Sequence, residues 1–211
     1  MPLNSETIVF DLDGTLVDSL PDIVLSFQEA FRQQGVEPPE AALVRPLLGK
    51  PLEEMFSVFV PHELVTDLVA GYRSHYSQHC TDHSRPFPGV PELLTVLRDR
   101  GYKLVVATTK RSATARTFVA ALGLDHYLDH IQGTDDFPHK PAPDVIFRAL
   151  RSVQGEGLWM VGDSASDIVA GKAAGLRTYA VTWGGQDGST LREAGPDRLE
   201  PSLESLLEVL D

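Results

Sequence analysis

Four aspartates, a threonine and a lysine stand where a chain could do chemistry on a phosphate. Asp11 and Asp13 sit two apart in Phe10-Asp11-Leu12-Asp13-Gly14-Thr15, and Asp163 and Asp167 sit four apart in Gly162-Asp163-Ser164-Ala165-Ser166-Asp167. Each pair closes a short apolar run, as Thr108-Thr109-Lys110 closes another, and Lys140 lies in His139-Lys140-Pro141. Unit like charges about 4 Å apart repel by about 4 kcal/mol at an effective dielectric near 20, so carboxylates gathered at one point call for a cation. Hard oxygen donors in small number, with waters and a phosphate, suit Mg²⁺. A carboxylate can attack phosphorus to give an acyl phosphate while a neighbouring carboxyl donates a proton to the leaving oxygen, and the turn through Gly14 can bring Asp13 back over Asp11 for that purpose. The Thr108 hydroxyl and the Lys140 ammonium would then stabilise the transferring phosphoryl oxygens.

These residues meet only if the elements carrying them are neighbours. Apolar strand-like runs are expected at Thr7 to Leu12, Lys103 to Ala107, weakly at His130 to Gly133, at Leu158 to Val161 and at Arg177 to Val181. Helical patterns alternate with them at Val90 to Arg100, Ser112 to Leu122, Pro143 to Val153 and Asp167 to Ala174, with Lys140 expected to open the third of these. Such alternation indicates an α/β fold with a doubly wound parallel sheet, in which ligands bind beyond the carboxyl ends of the strands. From Ser19 to about His83 the grammar differs: helical patterns follow one another with no convincing strand, up to a proline-rich boundary at Pro86, Pro88 and Pro91. The expected division is a core of residues 1–17 and 86–211 with an inserted helical cap of residues 18–85. Within the insertion, Lys50 after Gly49 is placed to reach a substrate anion.

Composition narrows the class. The 211 residues carry 18 Lys+Arg against 30 Asp+Glu, a net charge of −12, and one cysteine, Cys80, which cannot form an intrachain disulfide. Nucleic-acid binding is disfavoured without clustered Lys/Arg, and no run approaches the ~20 apolar residues of a membrane span. The expected molecule is cytoplasmic, a monomer or small homo-oligomer, with a small phosphorylated metabolite as its partner. His75, His79 and His83 recur every four residues beside Cys80. With Pro86 near and no well-placed fourth ligand, an ordinary surface face is a better reading than zinc.

The ordered set Asp11-x-Asp13-Gly14-Thr15, Thr108, Lys140 and Gly162-Asp163-x-x-x-Asp167 resembles the haloacid dehalogenase superfamily of phosphatases. Phe10 to Ser19 and Lys140-Pro141-Ala142-Pro143-Asp144 are similar to its phosphoglycolate phosphatase branch, which carries a helical cap. The resemblance implies Asp11 as nucleophile and Asp13 as acid/base. It also implies Mg²⁺ held by the Asp11 and Asp163 carboxylates and the Asp13 main-chain carbonyl, with Asp167 in support. Gly14, Thr108, Thr109, Lys140 and Lys50 are the candidate substrate contacts, although Asn often stands where this chain has Thr109. The implied activity is Mg²⁺-dependent hydrolysis of a small, phosphoglycolate-like phosphate monoester through an aspartyl phosphate. A phosphomutase or a pyrophosphatase would use the same core, whereas a dehalogenase needs neither the Asp13-type acid nor Mg²⁺. A phospho-receiver domain shares the clustered acids but not the insertion, and a silent binding module would not need these residues intact.

Overall fold

The structure, a computed structural model, describes residues 6–210. Strand β1 (Glu6–Phe10) leads to a two-residue strand β2 (Val17–Asp18), and helices α1 (Leu20–Gln33), α2 (Ala41–Val44), α3 (Leu52–Ser57) and α4 (His62–His79) follow. The chain returns through β3 (Arg85–Pro86) and then alternates: α5 (Val90–Asp99), β4 (Lys103–Ala107), α6 (Ser112–Ala121), β5 (His130–Gln132), α7 (Asp144–Val153) and β6 (Glu156–Gly162). It continues with α8 (Ala165–Ala173), β7 (Arg177–Val181), α9 (Gly188–Ala194) and β8 (Arg198–Glu200), and a 3₁₀ segment at Glu204–Val209 follows.

The main sheet has six strands in the order β5-β4-β1-β6-β7-β8, and every pairing in it is parallel. Strand side chains alternate between faces. Ile8 and Phe10 therefore pack with Leu94 and Leu97 of α5 and Phe118 of α6, while Val9 packs with Ile146 of α7 and Ala170 of α8 on the other side. With both faces covered, the strands are apolar almost throughout, and this is the pattern that marks a parallel sheet in the sequence.

The helices between β2 and β3 bury a separate core. Phe27 and Phe31 of α1, Phe56 of α3, and Leu68 and Tyr72 of α4 form its centre, and the Phe27 and Phe56 rings stack at 4.1 Å. Each such side chain contributes roughly 1.5–3 kcal/mol on burial, which lets this small helical unit hold its own shape. Pro21 in the first turn of α1 removes a donor that has no helical acceptor there, and Gly35, with φ of 67°, takes the left-handed turn that ends the segment. The two crossings back to the sheet pair antiparallel, Val17 with Pro86 and Asp18 with Arg85.

Some expectations need correction. Lys140 does not open a helix: α7 begins at Asp144, so Lys140 lies in the loop before it. Asp167 does not open α8, which begins at Ala165 and has Asp167 as its third residue. The β2–β3 ribbon, α2, α9 and β8 carry too few residues for a periodic signal, and none was foreseen. Among the described residues no helix is long and apolar enough to cross a membrane.

Candidate active site

Asp11 follows β1 directly, and its amide donates to the Val161 carbonyl at 2.8 Å, which carries the pairing with β6 one residue past the strand. The backbone then turns: Leu16 and Val17 donate to Leu12, and Gly14 donates to Val17. Gly14 has φ of 83°, and a Cβ there would lie 2.3 Å from an Asp163 carboxylate oxygen. Gly184 presses on the same side chain, with a Cβ position 2.2 Å from it. Glycine at both places lets two backbones close on one carboxylate.

Oxygens of Asp11, Asp163 and Asp167 lie within 4.8 Å of one another, and all three residues are buried. The Lys140 ammonium sits among them, donating to Asp11 at 2.5 Å, Asp167 at 2.6 Å and the Ala107 carbonyl at 2.9 Å. Thr15 Oγ and the Gly185 amide donate to opposite oxygens of Asp163 at 3.1 and 2.7 Å. Asp167 completes a reciprocal cap with Ser164, accepting from its amide and hydroxyl at the start of α8. Asp167 thus serves as helix cap through one oxygen and meets Lys140 through the other. Burial, reinforced by the neighbouring aspartates against the pull of Lys140, raises the Asp11 carboxyl well above the usual carboxylate range. Burial and Asp167 push Asp163 up to about 7. Burial opposes the charge of Lys140, but Asp11 and Asp167 outweigh it and hold the ammonium above its ordinary value.

The Asp13 carboxylate is outside that cluster. Both its oxygens accept from Lys110 Nζ at 2.7 Å, and one accepts from Ser19 Oγ at 2.5 Å. Its main-chain carbonyl is the only part that the expected metal role asked for. Ser19, at the start of α1, therefore touches the site directly and gives no side-chain hydrogen bond to its helix. Lys110 was not among the expected site residues, although it follows Thr108 and Thr109 at the same strand end. Its ammonium lies over the rings of Tyr76 from α4 and Phe118 from α6, at 4.8 and 5.1 Å. Thr108 is buried, its hydroxyl accepting from the Lys110 amide at 3.2 Å and its carbonyl accepting from Thr134 Oγ at 3.0 Å.

Thr109 and Lys50 both line a cavity between the sheet end and the helical unit, together with Asp11 and Asp13. Lys50 is exposed at its edge. The three histidines do not gather around a point: His75 pairs with Ser26 at 2.9 Å, His79 with Asp82 at 2.9 Å and His83 with Asp22 at 2.8 Å. Helix α4 ends at His79, so the spacing by four breaks before His83. Trp159 packs in the sheet core, and Trp183 stacks on Phe87 at 4.5 Å.

A buried carboxyl at a strand end, a second carboxylate held beside it, a buried ammonium and two further acids form a set that can transfer a phosphoryl group. The haloacid dehalogenase-like hydrolase family model matches residues 8–181. The chain is 33% identical to pyrophosphatase PpaX of Halalkalibacterium halodurans over 97% of this chain and 96% of that one. It is 32% identical to a phosphoglycolate phosphatase of Aquifex aeolicus, with 84% of each chain covered. A haloacid dehalogenase-like family hydrolase of Streptococcus pneumoniae superposes with a TM-score of 0.90 at 31% identity over 100% of both chains. The chain belongs to the haloacid dehalogenase-like hydrolases, in their phosphatase branch.

Proposed function

We propose that the protein is a Mg²⁺-dependent phosphatase that hydrolyses an organic phosphate monoester through a phosphorylated Asp11. The observation that carries this reading is the convergence of buried Asp11, Asp163 and Asp167 on Lys140, with the Asp13 carboxylate held separately alongside. Three buried carboxyl groups stand together with one ammonium, which touches two of them, and every donor is oxygen, so the set fits a hard divalent cation. Asp11 and Asp163, with the Asp13 main-chain carbonyl, would hold it, and Asp167 supports through Lys140 and the α8 cap. When bound, Mg²⁺ supplies positive charge to the phosphoryl oxygens.

The residues divide the work. An Asp11 oxygen forms the bond to phosphorus as the ester P–O bond breaks, and the departing oxygen takes a proton from Asp13. Asp13 then accepts a proton from the water that attacks phosphorus, which releases inorganic phosphate and restores Asp11. Lys110 from the core and Ser19 from α1 fix the Asp13 carboxylate from two sides, as proton transfer at a set position requires. Lys140, touching Asp11 already, is placed to share its charge with the incoming phosphoryl group. The helical unit of residues 18–85 serves as the cap that closes this site from water.

The test is turnover of an aryl phosphate by the full chain. Activity should vanish in chelator, return with Mg²⁺ and fall with excess Ca²⁺, whose larger coordination shell allows Asp11 to bind through both oxygens. Full activity in chelator overturns the reading.

A further inference from the structure

The cavity between cap and core measures about 700 Å³, within the ~300–1,000 Å³ of sites that enclose drug-sized ligands. It belongs to a seated cap. Arg45 donates to the Gly184 carbonyl at 3.3 Å on one side, and Glu54 meets His139 at 3.3 Å on the other. Leu48 rests on Gly185, close enough that a Cβ there would lie 3.1 Å from it.

The floor of this cavity is the acidic site, and its roof is of different chemistry. Ile23, Leu48, Met55 and Tyr72 line it and are each no more than 9% exposed. A two-carbon acid esterified to phosphate would leave this apolar wall uncovered. A second phosphoryl group would meet Asp135, Asp136 and Glu54; of the lining lysines and arginines, Lys110 is paired with Asp13 at 2.7 Å and Arg73 with Glu53 at 3.0 Å, and Lys50 and Arg111 are exposed to solvent. Two phenols stand in the apolar wall, Tyr72 and Tyr76. Tyr72 is 6% exposed, stacks on Tyr76 at 5.3 Å, and its hydroxyl has no hydrogen-bond partner among the described residues. Burial raises its phenol well above the ordinary value, so it stays a neutral donor. The Tyr76 hydroxyl is shut in without a partner among the described residues, so of the two phenols it is Tyr72 that can offer its hydrogen to an acceptor in the cavity.

We infer that the substrate is the phosphate monoester of an aromatic alcohol whose ring carries a hydroxyl or carbonyl group: the ring lies against Ile23, Met55 and Tyr72, and its polar substituent accepts from the Tyr72 hydroxyl. The inference rests on the proposed phosphatase activity and adds the leaving group. Four compounds test it with the full chain and Mg²⁺: 3-hydroxybenzyl phosphate, benzyl phosphate, phosphoglycolate and pyrophosphate. The hydroxylated ester should exceed phosphoglycolate and pyrophosphate in kcat/KM by about tenfold or more. Tyr72→Phe should lower the ratio of hydroxylated to plain ester by about tenfold, the loss of one hydrogen bond to a buried group. Leu52→Trp, at a half-buried position on the cavity wall, should fill the space and shift the ratio of benzyl phosphate to phosphoglycolate toward the smaller ester. Both readouts are ratios, so partial misfolding of a variant cancels. A preference for phosphoglycolate, or an unchanged ratio in either variant, overturns the inference and leaves the phosphatase reading standing; a preference for pyrophosphate overturns the inference and the monoester reading with it. Turnover of none of the four overturns both.

Discussion

Asp11 and Asp13 are chemically identical side chains two residues apart, and their surroundings separate them. Asp11 is buried among acids with Lys140 on one oxygen, whereas Asp13 has Lys110 on both oxygens and a hydroxyl besides. Asp11→Asn should abolish turnover and phosphoenzyme, because an amide is a poor nucleophile; mass analysis of the acid-quenched enzyme checks this, and covalent phosphate on the variant would sink the assignment. Asp13→Asn should retain more activity on an aryl phosphate than on an alkyl phosphate, since a phenolate departs with little help from an acid. Equal losses on both esters would remove Asp13 from the protonation step. Lys110 makes a sharper case, because it touches the chemistry only through Asp13. Lys110→Met keeps the stem that packs on Tyr76 and Phe118 and deletes the charged contact, worth about 1.5–3 kcal/mol. The expected result is a kcat lower by roughly ten- to a hundredfold with KM nearly constant, as for a group that positions the acid/base and does not hold substrate. A rise in KM alone would instead place Lys110 in substrate binding.

Elements decide whether such residues meet, and the junction between cap and core is built around Asp22 of α1. Its carboxylate is 1% exposed and accepts from the His83 and Ser84 amides and from the Ser84 hydroxyl, at 2.7 to 3.1 Å. Burial works to raise this carboxyl, but the hydrogen bonds from Ser84 and His83 outweigh it and the group is held below the usual range. For an acid lowered on folding, the stabilisation is complete above the unfolded-state value and is lost as pH falls through the folded one. Asp22→Asn should therefore lower the melting temperature at neutral pH, and the gap from the parent should narrow in acid below pH ~4. A gap constant with pH would mean that Asp22 acts through packing and not through its charge. No periodicity announces this contact, since it joins a helix start to a residue 62 positions later. The same limit explains what could be read from the chain and what could not. Buried parallel strands and amphipathic helices were legible because burial on two faces or one imposes a pattern; Asp11 and Asp163 followed from their places at strand ends and Asp167 from its spacing of four from Asp163, whereas Lys140 was expected to open a helix and lies in the loop before α7. The β2–β3 ribbon, β8 and the Asp13–Lys110 pair were not, because two- and three-residue strands hold no pattern and a long-range ion pair leaves none. The Ser19 contact left no signal for a related reason: a serine before a helix is ordinarily its cap, and here its hydroxyl is turned to Asp13.

At the scale of the whole molecule the helical unit and the sheet bury separate hydrophobic cores, but the acidic cluster gathers three carboxyl groups against one ammonium. Asp11, Asp163 and Asp167 come from two segments of chain about 150 residues apart, and only folding brings them together. The unfolded chain keeps the three charges apart in water, so their approach in the native state opposes folding until a cation joins them. Mg²⁺ should then bind the folded form selectively, and at a hundredfold excess over its dissociation constant it contributes about 2.7 kcal/mol. For a chain of this size that raises the melting temperature by roughly 5–10 °C. Asp163→Asn separates the two halves of the argument. The amide oxygen can still accept from Thr15 or the Gly185 amide, yet one repelling charge and one metal donor are gone. The variant in chelator should melt no lower than the parent, and the Mg²⁺-dependent rise should be largely lost. A variant that melts well below the parent in chelator would mean that the Asp163 charge supports the fold, and an undiminished Mg²⁺ shift would move the cation away from this cluster altogether.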